Sequence, residues 1–305
     1  MCIKNKKVKI LTFGSCGWDK IVDKLNNNLI YEEEGRKNSH QAVAAYRAGA
    51  NSRFISFVGD DEIGKRVLKS LKQCGISTKY VKTVKGELTE VNIQYWDSET
   101  KDYELQRGPA KLSQNYTPEM VDTYKNLILK SSAVNLVSKQ PKDFLTKVIE
   151  LCFENNIPTY LTISHKKFDI DNEKDLQTLK KVTVIAGNYS EGEQLTGVKD
   201  IEKMLKLFPN MIITKGGEGV YYCDEDGKFC HDNAVTAGQI VETNGAGDTF
   251  IGNYMVFRAE KLPIEKSIKM AMCASALEIS KMGVYSAMPY RNQTENLYNK
   301  IFENW

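Results

Sequence analysis

Residues Glu242 to Phe250 read ETNGAGDTF, and the chain then turns apolar as IGNYMVFRAE. A polar strand end, Glu242-Thr243, leads into Asn244-Gly245-Ala246-Gly247, and a helix is predicted over Ala246–Glu260. The first backbone N–H groups of a helix have no partner within it, and the aligned peptide dipoles make that end positive. Glycine and alanine let a ligand approach those donors, so Gly245, Ala246 and Gly247 read as an anion hole. Asp248 stands in the same turn. A carboxylate there is either a helix-stabilising first-turn acid or a general base, and the strand–turn–helix setting favours the base. An anion hole beside a base suits transfer of a phosphoryl group to a hydroxyl.

The rest of the chain supplies the frame for that turn. VKILTF (Val8–Phe13) reads as a buried strand before the turn GSCGWD, and HQAVAAYRAGA (His40–Ala50) as a helix closed at Gly49. SRFISFVGDD gives a strand ending at Gly59, and Ile63, Val67, Leu68 and Leu71 carry helical spacing up to Gly75. From Ser132 onward, apolar runs such as AVNLV, PTYLTI, VTVIAG and MIIT alternate with helical stretches, and two long helices are expected at Ala246–Glu260 and Ile264–Lys281. GVYYCDEDGKFC reads as a hairpin about Asp226-Gly227, and RNQTENLYNKIFENW as a closing helix. Strands alternating with helices imply a mostly parallel sheet covered on both faces.

Two stretches break the alternation. TEVNIQYWDSETKDYEL reads as a hairpin about DSETKD, and Asp19–Glu34 is polar and irregular. Together they suggest a small sheet standing off a single domain spanning residues 1–305, with a lid built from about 15–38 and 85–112.

Composition narrows the partners. The 42 basic and 39 acidic residues nearly balance at +3, and the basic lead KNKKVK is short, so nucleic-acid binding gets no support. The seven cysteines are scattered with no metal-binding spacing, which reads as reduced thiols in a cytoplasmic protein. No run approaches the roughly 18 apolar residues of a membrane span.

NGAGD resembles the DTxGAGD motif of the ribokinase-like (PfkB) family of carbohydrate kinases, and other segments fall in that family's order. GSCGWD is similar to its first-strand turn, GRKNSHQAVAAYRAGA to its GGKGANQAVAAARLGA segment, and SFVGDDEIGKRV to its VGDDxFG stretch. NYSEGEQLTG resembles its NxxE motif, TKGGEGV its TLGxxGV nucleotide loop, and GVYSAMP its closing run. GAGD and NxxE in this order are specific; either alone is weak.

The resemblance implies a three-layer α/β/α fold with a small β-lid, and ATP-dependent phosphorylation of a sugar or nucleoside hydroxyl with Mg²⁺. By position, Asp248 is the base, Asp19 binds the acceptor, and Asn188 and Glu191 order Mg²⁺ through water. Thr214, Gly216 and Gly219 wrap ATP, with Met272 in the adenine region. Lids in the family often pair into homodimers.

The acceptor side departs from the pattern. The family's Gly-Gly is Gly35-Arg36, its following glycine is Asn38, its asparagines are Gly17 and His40, and its glutamate is Lys139. Arg36, Lys37, His40 and Lys139, joined by Arg107 if it reaches in, would make this side basic, which suggests an acidic acceptor such as a sugar acid if they face the pocket. His40 reads either as a donor to substrate or as a helix-start residue. Glu242, Asn244 and Ala287 replace the Asp, Thr and Ser common at the family's monovalent-cation site. Two other readings stand beside the sugar kinase. Trp18, Tyr95 and Trp96 would stack a base in a nucleoside kinase of the same fold, and the altered loop would suit a non-catalytic ligand-binding relative.

Overall fold

The computed structural model describes residues 7–97, 102–108 and 111–303. Cys2, the start of the basic lead, the tip of the DSETKD hairpin and the last two residues of the closing helix lie outside the described residues. The chain runs β1 (Lys9–Phe13), β2 (Gly17–Asp23), β3 (Leu29–Gly35), α1 (Lys37–Arg47), β4 (Asn51–Gly59), α2 (Glu62–Gln73) and β5 (Val81–Val84). There follow β6 (Val91–Asp97), β7 (Asp102–Arg107), α3 (Pro118–Leu129), β8 (Ala133–Val137), α4 (Lys142–Glu154), β9 (Thr159–Thr162) and α5 (Glu173–Lys180). Then come β10 (Val184–Asn188), α6 (Tyr189–Thr196), α7 (Ile201–Leu207), β11 (Met211–Thr214), β12 (Val220–Cys223) and β13 (Phe229–Asp232). The chain closes with α8 (Ala246–Ala259), α9 (Ile264–Glu278) and α10 (Arg291–Tyr298).

Nine strands form the main sheet in the order β5-β4-β1-β8-β9-β10-β11-β12-β13. Neighbours are parallel from β5 to β11, and the β12–β13 hairpin closes one edge antiparallel. Side chains alternate between the faces of a strand, and β1 shows how both are used. Leu11 and Phe13 pack into the core cluster under α3 and α4, whereas Ile10 joins the cluster beneath α1 and α8. On that second face, Thr12, Asn135 and Thr162 interrupt the apolar pattern and are buried. They place polar groups toward the carboxyl ends of adjacent parallel strands, where ligands of open α/β sheets bind.

The second sheet has four strands in the order β3-β2-β6-β7. Asp97 pairs with Asp102 across the β6–β7 hairpin, and β2 runs parallel to β6. Asp61 anchors the segment leading into this lid. Its side chain caps α2 by accepting from Gly64 N at 2.8 Å, and it also accepts from the Thr89 amide and hydroxyl at 3.0 and 2.6 Å. Asp61→Ala is expected to lower stability by about 1–2 kcal/mol, read as a lower denaturant midpoint; an unchanged midpoint would show the cap to be idle. Among the described residues no helix is long and apolar enough to cross a membrane. The second long helix ends at Glu278 rather than Lys281. Gly283 at φ 84° lies in the turn beyond it.

Candidate active site

Helix α1 begins at Lys37, one turn earlier than the His40 start predicted from sequence. GRKNS is polar enough to read as loop. Tertiary burial overrides that pattern, since Asn38 through Ala45 are all buried. The early start puts Lys37, His40 and Gln41 on the first turns of a helix that points into a cavity of about 430 Å³. Helix α8 packs against α1 at close range: a Cβ on Gly252 would lie 2.4 Å from Ala44 Cβ and 2.8 Å from Gln41 O. That approach brings Asp248 onto α1.

Asp248 is held at both oxygens. Gln41 Nε2 donates to Oδ1 at 2.9 Å, and His40 Nδ1 lies 3.3 Å from Oδ2. Gln41 is oriented in turn by Asn135 Nδ2, which donates to its Oε1 at 2.8 Å, and by Thr162 Oγ1 at 3.1 Å. The polar layer on the sheet therefore positions the carboxylate of α8. His40 is thus more than a plain helix-start residue: its Nδ1 faces Asp248, while Nε2 is buried without a partner among the described residues on a side chain that lines the cavity. Tyr285 packs edge-on against its ring, and Glu33 and Glu34 add their carboxylates from β3. Burial opposes the charge on His40, but the bond to Asp248 and these acids outweigh it and lift its pKa to about 9.

A raised pKa means that the folded state binds this proton more tightly than the unfolded chain. The stabilisation is complete below the unfolded value of about 6.5 and disappears as pH rises through about 9. The wild-type protein is expected to melt above His40→Asn at pH 6 and to lose that lead by pH 10. Parallel melting curves across the range would remove the imidazolium from the account.

The same cavity gathers Asp19, Arg36, Lys37, Lys139, Asn188, Glu191, Gly245 and Gly247. The cations are not free. Arg36 binds Asp19 and lies 3.3 Å from Glu90, Lys139 lies 3.0 Å from Glu90, and Lys37 lies 2.5 Å from Glu191. Burial weighs against the Lys37 ammonium, yet Asp248 and Glu191 hold its pKa above the usual value. The basic surplus that suggested an acidic acceptor is therefore absent, and Arg36 does not point to solvent either. Gly35 lies beneath Asp19 rather than in the cavity wall. Asn188 caps α6 and shares a reciprocal capping box with Glu191, which still leaves both side chains on the cavity wall.

Gly245 is the N-cap of α8 at φ 95°, and no side chain caps this end. Nothing lies within 4 Å of where a Gly247 Cβ would stand, so the first turn is open on its cavity side. A second cavity of about 350 Å³ adjoins the first, and Thr214 and Gly247 belong to both walls. Its wall holds Gly216, Gly219, Ala246 and Met272 together with Val220, Val235, Ile240 and Ile279. Such a slot, apolar with an uncapped helix end at its mouth, suits a ligand with an apolar body and an anionic end.

The stacking residues fall elsewhere. Trp18 is packed in the core with the Arg66 guanidinium 4.2 Å from its ring centroid, and neither Tyr95 nor Trp96 lines the cavity. Trp18 and Asp19 are neighbours on β2, so their side chains leave opposite faces. Asn92, beside Asp19 on β6, lines the cavity with its buried Oδ1 unpaired and was not legible as a site residue. Glu242 accepts from Gly283 N at 2.9 Å and from Tyr31 of the lid.

Comparison with known proteins finds relatives along most of the chain. The ribokinase of Bacillus subtilis is 27% identical over 304 residues, covering 94% of this chain and 98% of that one. The bifunctional ribokinase/ribose-5-phosphate isomerase A of Fructilactobacillus sanfranciscensis is 29% identical; the match covers 96% of this chain and 56% of that longer protein. Among solved structures, Arabidopsis thaliana ribokinase complexed with ribose and ATP superposes with a TM-score of 0.83 at 20% identity, covering 96% and 99% of the two chains. An Escherichia coli chain described as a ribokinase II, in complex with ATP and Mg²⁺, gives 0.81 at 15% identity, with the same two coverages of 96% and 99%. These two likenesses establish the ribokinase-like fold. The profile of the pfkB family carbohydrate kinases matches residues 37–291. On that match, which runs from the first turn of α1 to the start of α10, the chain belongs to the pfkB family of carbohydrate kinases.

Proposed function

We propose that this kinase moves the γ-phosphoryl group of ATP onto a hydroxyl of a small sugar or sugar derivative. The observation that carries the reading is the position of Asp248, at the uncapped N-terminus of α8 and bonded from α1. Asp248 is the general base that removes the acceptor proton as the hydroxyl attacks. The amides at Gly245, Ala246 and Gly247 stabilise charge that develops on the phosphoryl oxygens. Asp19 orients the acceptor, and Thr214, Gly216, Gly219 and Met272 form the nucleotide site.

The carboxylate of Glu191 and the amide oxygen of Asn188 are the hard oxygen donors that suit a hydrated Mg²⁺. When bound, the ion neutralises phosphate charge. Lys37, beside Glu191 and Asp248, adds positive charge on the same side.

The pairing of each cation with a carboxylate favours an uncharged acceptor over a sugar acid. The six described cysteines are all free, which supports a reducing, cytoplasmic setting. Exposed Leu25, Leu29 and Ile30 support pairing of two lids, which sedimentation would read.

The test is ADP release with Mg²⁺-ATP over a panel of neutral sugars, sugar acids and nucleosides. Turnover with neutral sugars is expected. ATP binding with no acceptor-stimulated ADP release across the panel would favour the non-catalytic reading, and turnover confined to nucleosides would favour the nucleoside kinase.

A further inference from the structure

Arg36 stands at φ 112° and ψ 139°, in backbone that strains any side chain and suits glycine. Its side chain is only 5% exposed. A buried cation requires compensation, and here two carboxylates supply it. Asp19 meets Nη1, and Glu90 lies 3.3 Å from Nη2. Glu90 also holds Lys139.

Two glycines clear the space. A Cβ on Gly17 would lie 3.2 Å from Arg36 Cζ and 2.5 Å from the Glu90 carbonyl oxygen, and one on Gly35 would lie 2.1 Å from Asp19 Oδ2. Three departures from the family's acceptor side, Gly17, Arg36 and Lys139, therefore fall on one network.

We infer that Arg36 sets acceptor choice by occupying the place beside Asp19 where a second hydroxyl of a diol would bind. The inference rests on the kinase reading above. A carboxylate with both oxygens open can grip two neighbouring hydroxyls at once. In this pocket Oδ1 belongs to Arg36, and Gln94 Nε2 stands 3.5 Å from Oδ2, which leaves one oxygen for the acceptor. The network Asp19–Arg36–Glu90–Lys139 is also balanced in charge. The acceptor class that fits is an uncharged sugar held at this end through a single hydroxyl. A strained backbone and a buried cation at one residue mark a site shaped by its ligand rather than by stability.

Calorimetric titration of D-ribose and 2-deoxy-D-ribose into the wild-type protein and into Arg36→Gly tests this. The wild type is expected to bind the two sugars nearly equally, because the extra hydroxyl finds no second open oxygen on Asp19. Arg36→Gly frees Oδ1 and is expected to prefer ribose by about tenfold or more, the worth of one hydrogen bond to a charged group. Arg36→Lys, which keeps a cation but loses the fork, is expected to fall between them and decides the matter if the glycine variant does not fold. An unchanged ratio in a folded variant, strong ribose preference in the wild type, or no binding of either sugar to any protein overturns the inference. The ratio is read from binding heat, whereas the kinase reading stands or falls on ADP release.

Discussion

Asp248→Asn is expected to lower turnover by about 10²- to 10⁴-fold while ATP binding persists. The amide keeps the size of the carboxylate and still accepts from Gln41 Nε2, so the contact between α1 and α8 survives. What it loses is a group that can take a proton. The acceptor hydroxyl must then ionise unaided, and the cost falls on kcat, because nothing in the nucleotide slot has changed. Single-turnover ADP formation with saturating acceptor measures it. A variant that keeps wild-type turnover would make Asp248 a helix-start acid and nothing more.

Gly245→Ala has the second largest expected effect. At φ 95° the backbone sits where an L side chain is strained, and the new Cβ would stand 2.5 Å from Val284 Cγ1 and 2.8 Å from Glu278 Oε1. Neither neighbour yields easily. Val284 is core, and Glu278 is buried without a partner for either oxygen among the described residues. Burial, with Glu242, Asp248 and Glu33 nearby, lifts the Glu278 pKa to about 9, so it is largely protonated at neutral pH. The turn would have to shift, misaiming the amides, and turnover is expected to fall by about 10²- to 10³-fold with some loss of stability.

Gly247→Ala separates the two causes. Nothing stands within 4 Å of its Cβ position, so the fold should tolerate it, yet the methyl would enter the space that the proposed anion hole offers to phosphate. Reduced turnover at an unchanged melting temperature is the expected pair of results. Full activity in both variants would remove the anion hole from the account.

The parts of this protein legible in its sequence are those in which chemistry and spacing are local. A glycine turn before a carboxylate and an apolar helix announces itself, as does Asp226-Gly227 between two β-rich runs. The links between distant segments were not legible. Lys139 and Glu90 are 49 residues apart and Gln41 and Asp248 are 207 apart, and nothing in either neighbourhood names the other. The sign of each charge could be read, but whether it was already spent on a partner could not, and this is why four basic residues suggested an acidic acceptor. The buried polar start of α1 was hidden for a related reason. Asn38 looks like a loop residue until its partner, the Phe13 carbonyl, comes from another strand, and nothing local ties Gln41 to Asn135 and Thr162.

The junction between β3 and α1 has a consequence for how such an enzyme can change over generations. Within the six residues from Arg36 to Gln41, Arg36 meets Asp19 of the lid, Lys37 meets Glu191, and His40 and Gln41 meet Asp248. On the roles proposed for Asp19 and Asp248, recognition and proton removal share one short inheritance, and a mutation that shifts this stretch alters both together. Selection for a new acceptor meets less resistance at Asn92 and Lys139, which line the pocket from other segments. A library aimed at those two positions should yield altered preference at preserved rate, while one aimed at the junction should mostly yield inactive chains.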